Sequence, residues 1–316
     1  MSTASTDLDL LRELEPVAER LLDDHLRKAK PWNPHDYVPW DEGRNFAALG
    51  GIDWEPGQSA LSEVARVAMV TNLLTEDNLP SYHREISESF SLDGAWGTWV
   101  GRWTAEENRH AIVMRDYLVV TRAVDPVALE AARMQHMTTG VAKPVKGPQF
   151  LRSVAYVTVQ ELATRISHRN TGSACDEPVA ERMLQRIAAD ENLHMIFYRN
   201  VSAAALDLTP NAMLRAVTDV VTQFQMPGLT QPGFRRNAVL LAKHGIYDLR
   251  QHLDVVVRPV LRAWNVFERT DLSGDGERAR DELHAYLEDL EGRARRLDEQ
   301  RERAAARRAE GVAASS

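Results

Sequence analysis

The sequence predicts an all-α fold, a helical bundle with a carboxylate–histidine metal site in a four-helix core. Helix-forming residues dominate the 316-residue chain, and the polar–apolar alternation that marks strands is scarce. The pattern Glu-x-x-His occurs twice, at Glu107–His110 and Glu191–His194. Two further glutamates, Glu76 and Glu161, interrupt apolar helical stripes ahead of each motif.

Residues i and i+3 project from one helical face, so a carboxylate and an imidazole at that spacing can reach the same ion. One copy says little in a glutamate-rich chain; two copies say more. Glu76 follows Met69 and Leu73 and precedes Leu79; Glu161 follows Val154 and Val157 and precedes Thr164. Glu107 follows Val100 and Trp103 and precedes Met114, while Glu191 follows Leu184 and Ile187 and precedes Met195 and Tyr198. A single helical glutamate belongs by default on a solvated face. Four on apolar stripes need compensation, because buried charge is costly unless paired or metal-bound. The order Glu, Glu-x-x-His, Glu, Glu-x-x-His is the donor set of di-iron carboxylate bundles.

Residues 7–30 read as a helix capped by Asp7 and ended by Pro31. Residues 31–57, with four prolines and four glycines, read as an irregular crossing. The first site helix is expected over 59–89. Pro80, four residues past Glu76, cannot donate to the Glu76 carbonyl, so a bend is expected beside that glutamate. The second site helix spans 94–122, followed by a shorter helix to 139 and a loop over Gly140–Pro148. The third and fourth site helices span 149–171 and 177–206, with Cys175 in a loop-like Gly172–Asp176 stretch. A helix from Thr209-Pro210 to 226 follows. Breaks come at Pro227-Gly228 and Pro232-Gly233, and further helices at 234–244 and 248–268. Asp271, Ser273, Asp275, Gly276 and Glu282 loosely fit a calcium-loop spacing; a helix–turn–helix junction is the better reading. Residues 1–270 are taken as the main domain, with 1–6 disordered. Residues 271–316 form a final helix and a fraying charged tail.

Net charge is −8, from 38 basic and 46 acidic residues, which argues against nucleic acid as a partner. No apolar run approaches the roughly 20 residues of a membrane span, and Met1–Asp9 lacks a signal-peptide pattern. Cys175 is the one cysteine, so neither a disulfide framework nor a cysteine-held iron–sulfur cluster is available. A cytoplasmic location is the expectation.

The motifs resemble the soluble acyl-[acyl carrier protein] desaturases, the plant stearoyl type and its actinobacterial relatives, on the ferritin-like di-iron scaffold. The resemblance rests on Lys30-Pro31-Trp32-Asn33-Pro34, Thr75-Glu76-Asp77-Asn78-Leu79-Pro80-Ser81-Tyr82 and the run from Trp103 to His110. It continues in Gln160-Glu161-Leu162-Ala163-Thr164, Ile166-Ser167-His168, Ala188-Ala189-Asp190-Glu191 with His194, and the stretch from Trp264 to Leu297. It implies two irons per chain, with Glu107 and Glu191 bridging, Glu76 and Glu161 terminal, and His110 and His194 each on one ion. O2 is the co-substrate, a separate reductant such as ferredoxin supplies two electrons, acyl carrier protein bears the substrate, and the enzyme is a homodimer. Thr164 matches a threonine near the oxygen site, and its other reading is a hydroxyl bonded to its own backbone. Trp32, Asp190 and His110 match an electron-entry relay. His83 and His168, one heptad from Glu76 and Glu161, lie about 10 Å along their helices and are expected to be structural. Leu193 stands where the family often has Arg, and the Glu76–Glu107 gap is shorter than in plant members. Two other functions share the ligand set: a di-iron hydroxylase on a carrier-tethered intermediate, and a ferritin-like iron binder.

Overall fold

The computed structural model describes residues 6–139, 149–225 and 233–314. Among them, every regular element is helical. The expected Gly140–Pro148 loop, the Pro227-Gly228 break, Pro232 and the terminal residues 1–5 lie outside the described residues.

Helix α1 (Asp7–Lys28) begins one residue earlier than the Asp7 cap implied. Thr6 is the cap: its hydroxyl accepts from Asp9 N–H while the Asp9 carboxylate accepts from Thr6 N–H, at 3.2 and 3.1 Å. Residues 34–58 cross the bundle in short 3₁₀ turns, as their prolines require. Arg122 anchors this crossing from below, donating to the carbonyls of Asn45 and Ile52 at 3.0 and 2.8 Å.

The first site helix is two helices, α2 (Glu63–Asp77) and α3 (Leu79–Ser89), broken at Asn78. Pro80 lies in the first turn of α3, where its missing N–H leaves no bond unmade. The bend expected beside Glu76 is therefore a full break. The second site helix is α4 (Gly94–Val120), followed by α5 (Pro126–Thr139). The third and fourth, α6 (Gln149–Cys175) and α7 (Pro178–Leu208), form the most extensive helix pair.

Helix α6 runs through the stretch read as a loop, so Cys175 is helical and buried. Gly172 marks close helix contact: a β-carbon there would stand 3.4 Å from Glu181 Cα. The turn into α7 is then only Asp176-Glu177. Asp176 takes a left-handed φ of 50°, and Glu177 caps α7, accepting from Val179 and Ala180 N–H at 2.8 and 2.7 Å.

Helices α8 (Pro210–Gln223), α9 (Phe234–Lys243), α10 (Leu249–Gln251), α11 (Arg258–Ala263) and α12 (Asp275–Ala314) complete the chain, with a π-helical turn at His252–Val257 joining α10 to α11. Asp275 starts α12, so residues 275–282 cannot wrap an ion. Asp271 and Glu282 instead pair with Arg269 and Arg215 at 2.6 and 2.7 Å. The junction reading holds and the calcium loop does not.

Two large apolar clusters, beside a small one of Ala68, Leu241 and Ile246, fill the described interior. One joins α1 and α8 to the halves of α4 and α7 nearer Trp99 and Tyr198; the other joins the crossing and α2 to the halves nearer Met114 and Leu184. Along α4 the change comes between Trp103 and Ala111, and along α7 between Ile187 and Met195. Both Glu-x-x-His motifs lie on that seam.

Candidate metal centre

The four glutamates come from α2, α4, α6 and α7, and all are buried: Glu76 5% exposed, Glu107 6%, Glu161 2% and Glu191 2%. His110 and His194 are fully buried. His110 Nδ1 is 3.2 Å from Glu191 Oε1, 3.5 Å from Glu107 Oε2 and 3.7 Å from Glu76 Oε2. His194 Nδ1 is 2.7 Å from Glu107 Oε1 and 3.5 Å from Glu161 Oε2. The six side chains thus gather into two overlapping groups. Glu76, Glu107, His110 and Glu191 form one; Glu107, Glu161 and His194 form the other.

Five atoms facing this space make no well-formed hydrogen bond, the close His194 Nδ1–Glu107 Oε1 pair included: Glu107 Oε1, His110 Nδ1, Glu161 Oε2, Glu191 Oε1 and His194 Nδ1. Buried polar atoms are almost always satisfied, so convergent orphans fit a ligand that takes several donors at once. Two cations between the groups would do so, and mixed carboxylate–imidazole ligation suits iron or manganese.

The electrostatics agree. Burial and the Glu191 charge raise the Glu107 carboxyl, and the same two causes raise Glu161 further. Burial also opposes ionisation of Glu76, but contacts from His110 and His168 hold it well below its usual value. For Glu191, burial and the Glu76 charge push upward, and His110 and His168 together outweigh them. Burial lowers both imidazoles, but Glu107, Asp190 and Glu191 together for His110, and Glu106, Glu107 and Glu161 together for His194, reverse that and leave each well above normal. Divalent charge would replace these protons.

Behind the six lie their supports. Asp190 Oδ2 is 3.5 Å from His110 Nε2 and accepts from Trp32 Nε1 at 2.7 Å. Arg186 and Arg109 also hold Asp190, and Arg109 stacks over the Trp32 ring at 4.8 Å. Asp190, Trp32 and His110 are therefore contiguous, as the sequence implied. The Thr164 hydroxyl reaches Glu191 Oε2 at 2.5 Å and its own backbone carbonyls of Gln160 and Glu161 at 3.1 Å. Both expected settings for that hydroxyl are present.

His168 corrects the sequence reading. Its Nε2 is 3.0 Å from Glu76 Oε1, and its Nδ1 meets Asn72 at 3.3 Å. The axial spacing from Glu161 along α6 hid an approach across to α2. His83 does stay clear, bonded to Thr104 at 2.8 Å. Sequence reasoning also missed Glu106, whose Oε2 is 3.0 Å from His194 Nε2, and Trp103, whose Nε1 donates to Glu161 Oε1 at 3.0 Å. A signal for Glu106 existed: an acid precedes the motif glutamate in both copies, Glu106 before Glu107 and Asp190 before Glu191.

The family profile described as fatty acid desaturase matches residues 6–314. The chain belongs to that family. It is a desaturase, an oxidoreductase, on a ferritin-like helical bundle. It is 59% identical over 297 residues to DesA1 of Mycobacterium tuberculosis, provisionally designated an acyl-[acyl-carrier-protein] desaturase, covering 92% of this chain and 88% of the relative. It is 29% identical to the chloroplastic stearoyl-[acyl-carrier-protein] 9-desaturase of Spinacia oleracea, covering 94% of this chain and 77% of the relative. The X-ray structure of DesA2 from Mycobacterium tuberculosis superposes with a TM-score of 0.69 at 34% identity, covering 81% of this chain and 94% of that one. No described helix is long and apolar enough to cross a membrane.

Proposed function

We propose that this desaturase introduces a cis double bond into an acyl chain carried on acyl carrier protein, at a di-iron centre. The observation that carries this reading is the convergence of buried, unpartnered Glu and His atoms from four helices on one space. Glu76, His110 and Glu191 would hold one iron and Glu161 and His194 the other, with Glu107 within reach of both. Two irons there would supply the O2-dependent oxidation that removes one hydrogen from each of two adjacent methylenes. Overall, CH2–CH2, O2, two electrons and two protons give CH=CH and two waters. With a single cysteine, the chain needs an external reductant, ferredoxin or similar. Trp32 and Asp190, running inward to His110, are the route proposed for those electrons.

A cavity supports the acyl substrate. Phe234, Ala238, Leu241 and Tyr247 line it together with Glu76, Thr164 and His168. Apolar side chains share its lining with Thr71, Asn72, Thr75, Ser167 and Asn237, and it borders the proposed terminal carboxylate and the Thr164 hydroxyl. Glu76 and Thr164 would thus meet the chain from two helices and orient it, while the surrounding side chains exclude bulk water. The carrier assignment follows the relatives, which are acyl-[acyl-carrier-protein] desaturases by name, and the enzyme would act as a homodimer in the cytoplasm.

The test is direct. Protein reconstituted with ferrous iron is incubated with a panel of acyl carriers, ferredoxin and its reductase, and the products are placed by mass spectrometry. An alkene two hydrogens lighter than substrate is expected. A product heavier by one oxygen would assign hydroxylation instead, and equal turnover of free fatty acid would remove the carrier.

A further inference from the structure

A second histidine stands behind His194. His25, on α1, is 4% exposed, and its Nε2 lies 2.8 Å from Glu106 Oε2. The same oxygen is 3.0 Å from His194 Nε2. One carboxylate oxygen therefore bridges two imidazoles, whose rings stack with centroids 5.8 Å apart. The other oxygen accepts from Arg102 Nε at 2.6 Å. Trp99 closes over His25 edge-on at 5.1 Å. His25 Nδ1 is buried without a partner. The ring's single proton is then best placed on Nε2, where it donates to a carboxylate, rather than on a nitrogen with no acceptor.

We propose that His25 is the positioning residue for His194. Held between His25 and Arg102, Glu106 cannot rotate, and its Oε2 stays where His194 Nε2–H must donate. That fixes the tautomer and ring plane of His194 and leaves Nδ1 turned to the site. Without His25, the groups left on Glu106 besides His194 itself are Arg102 and Arg109, both at Oε1, the latter at 3.7 Å. Both draw the carboxylate away from His194. Partners behind a ligating histidine commonly change metal affinity 10–100-fold when removed, by loss of this orientation. The inference rests on the reading of His194 as a metal ligand, and its test separates the two.

Cobalt(II) is the probe. In protein loaded with cobalt alone, each Nδ1-bound imidazole keeps an Nε2–H that gives a strongly shifted, exchangeable proton resonance. Wild type should show two, one each from His110 and His194. His25→Phe keeps a ring but removes the donor; it should lose or shift one resonance, leave the other, and weaken one cobalt site about tenfold. His25→Gln presents an amide N–H near the Nε2 position and should restore both resonances. Circular dichroism checks that each variant is folded. Two unchanged resonances in His25→Phe would overturn the proposal, as would a Gln variant no better than Phe. A wild-type protein lacking the pair would overturn the ligand reading itself.

Discussion

In the His110 half of the site an indole holds the acid behind the imidazole, Trp32 to Asp190 at 2.7 Å, and an imidazole holds the outer carboxylate, His168 to Glu76 at 3.0 Å. In the His194 half the two kinds of ring change places: His25 holds Glu106 at 2.8 Å, and Trp103 holds Glu161 at 3.0 Å. The inner atoms match because helix geometry requires it: Glu-x-x-His puts two ligands on one face wherever it occurs. The outer atoms differ because they come from α1, the short stretch between α1 and the crossing, α4 and α6, which share no repeat. Surroundings differ accordingly. Arg109 and Arg186, 22% and 14% exposed, back the Trp32 side; Arg102, 39% exposed, backs Glu106 on the His194 side, where Trp99 and Phe197 also stack at 3.6 Å.

Glu107 tests whether the halves are one site, because both groups contain it. Glu107→Ala is expected to hold less than one iron per chain after ferrous reconstitution and to show no measurable turnover. His110→Ala, which touches one half, should keep one iron. Iron analysis with protein quantitation decides it, and two irons in Glu107→Ala would mean that the halves bind independently of a bridge.

Buried histidines sharpen the contrast between carboxylate surroundings and aromatic ones. His252 is 7% exposed, stacks on Phe224 at 5.0 Å and meets Tyr247 Oη at 2.9 Å, with no carboxylate partner. Burial lowers its pKa from 6.5 to about 4. A lowered histidine favours unfolding when protonated. Its contribution is intact above pH 6.5 and lost as pH falls from there toward 4, by about 3 kcal/mol in all. His252→Phe should flatten that part of the stability–pH curve in urea unfolding. An unchanged slope between pH 6 and 4 would assign the acid sensitivity to the site carboxylates alone.

The helices and all six proposed ligands were legible because each depends on spacing within one segment. Pro80 signalled the break after Glu76 for the same reason. What the sequence hid was contact between segments. His168 looked remote when measured along α6, yet it lies opposite Glu76 on α2. His25 belongs to a helix with no site motif at all. The Gly172–Cys175 stretch looked like a loop because small residues serve both turns and close helix contacts, and only the α6–α7 packing distinguishes them.

Removing the outer rings compares the halves directly. His168→Leu leaves Glu76 Oε1 without its donor, and Trp103→Phe does the same to Glu161 Oε1. Each should cost about 1–3 kcal/mol of stability as a buried acceptor loses its partner. Since Glu76 borders the cavity and Glu161 does not, His168→Leu should also raise KM for the acyl carrier, while Trp103→Phe should not. Equal KM values would remove the cavity from the account of substrate approach.

The smallest effect concerns the position three residues after each outer glutamate. After Glu76 it is Leu79, just past the helix break; after Glu161 it is Thr164, in an unbroken helix. Only the second offers a hydroxyl, and it borders the cavity and reaches Glu191 Oε2 at 2.5 Å. A hydroxyl has one proton, so bonding to Glu191 and to the Gln160 carbonyl are alternatives. If the proton goes to Glu191, Thr164 can hold a proton at the face of the site where substrate arrives. Thr164→Val keeps the shape and removes the hydroxyl. It should retain two irons and fold normally, turn over a few-fold more slowly, and consume more O2 per double bond formed. If the proton stays on the backbone, stability shifts by a few tenths of a kcal/mol and coupling does not change. The ratio of O2 consumed to alkene formed separates these outcomes, and a wild-type ratio would leave the two halves distinguished by their backing rings alone.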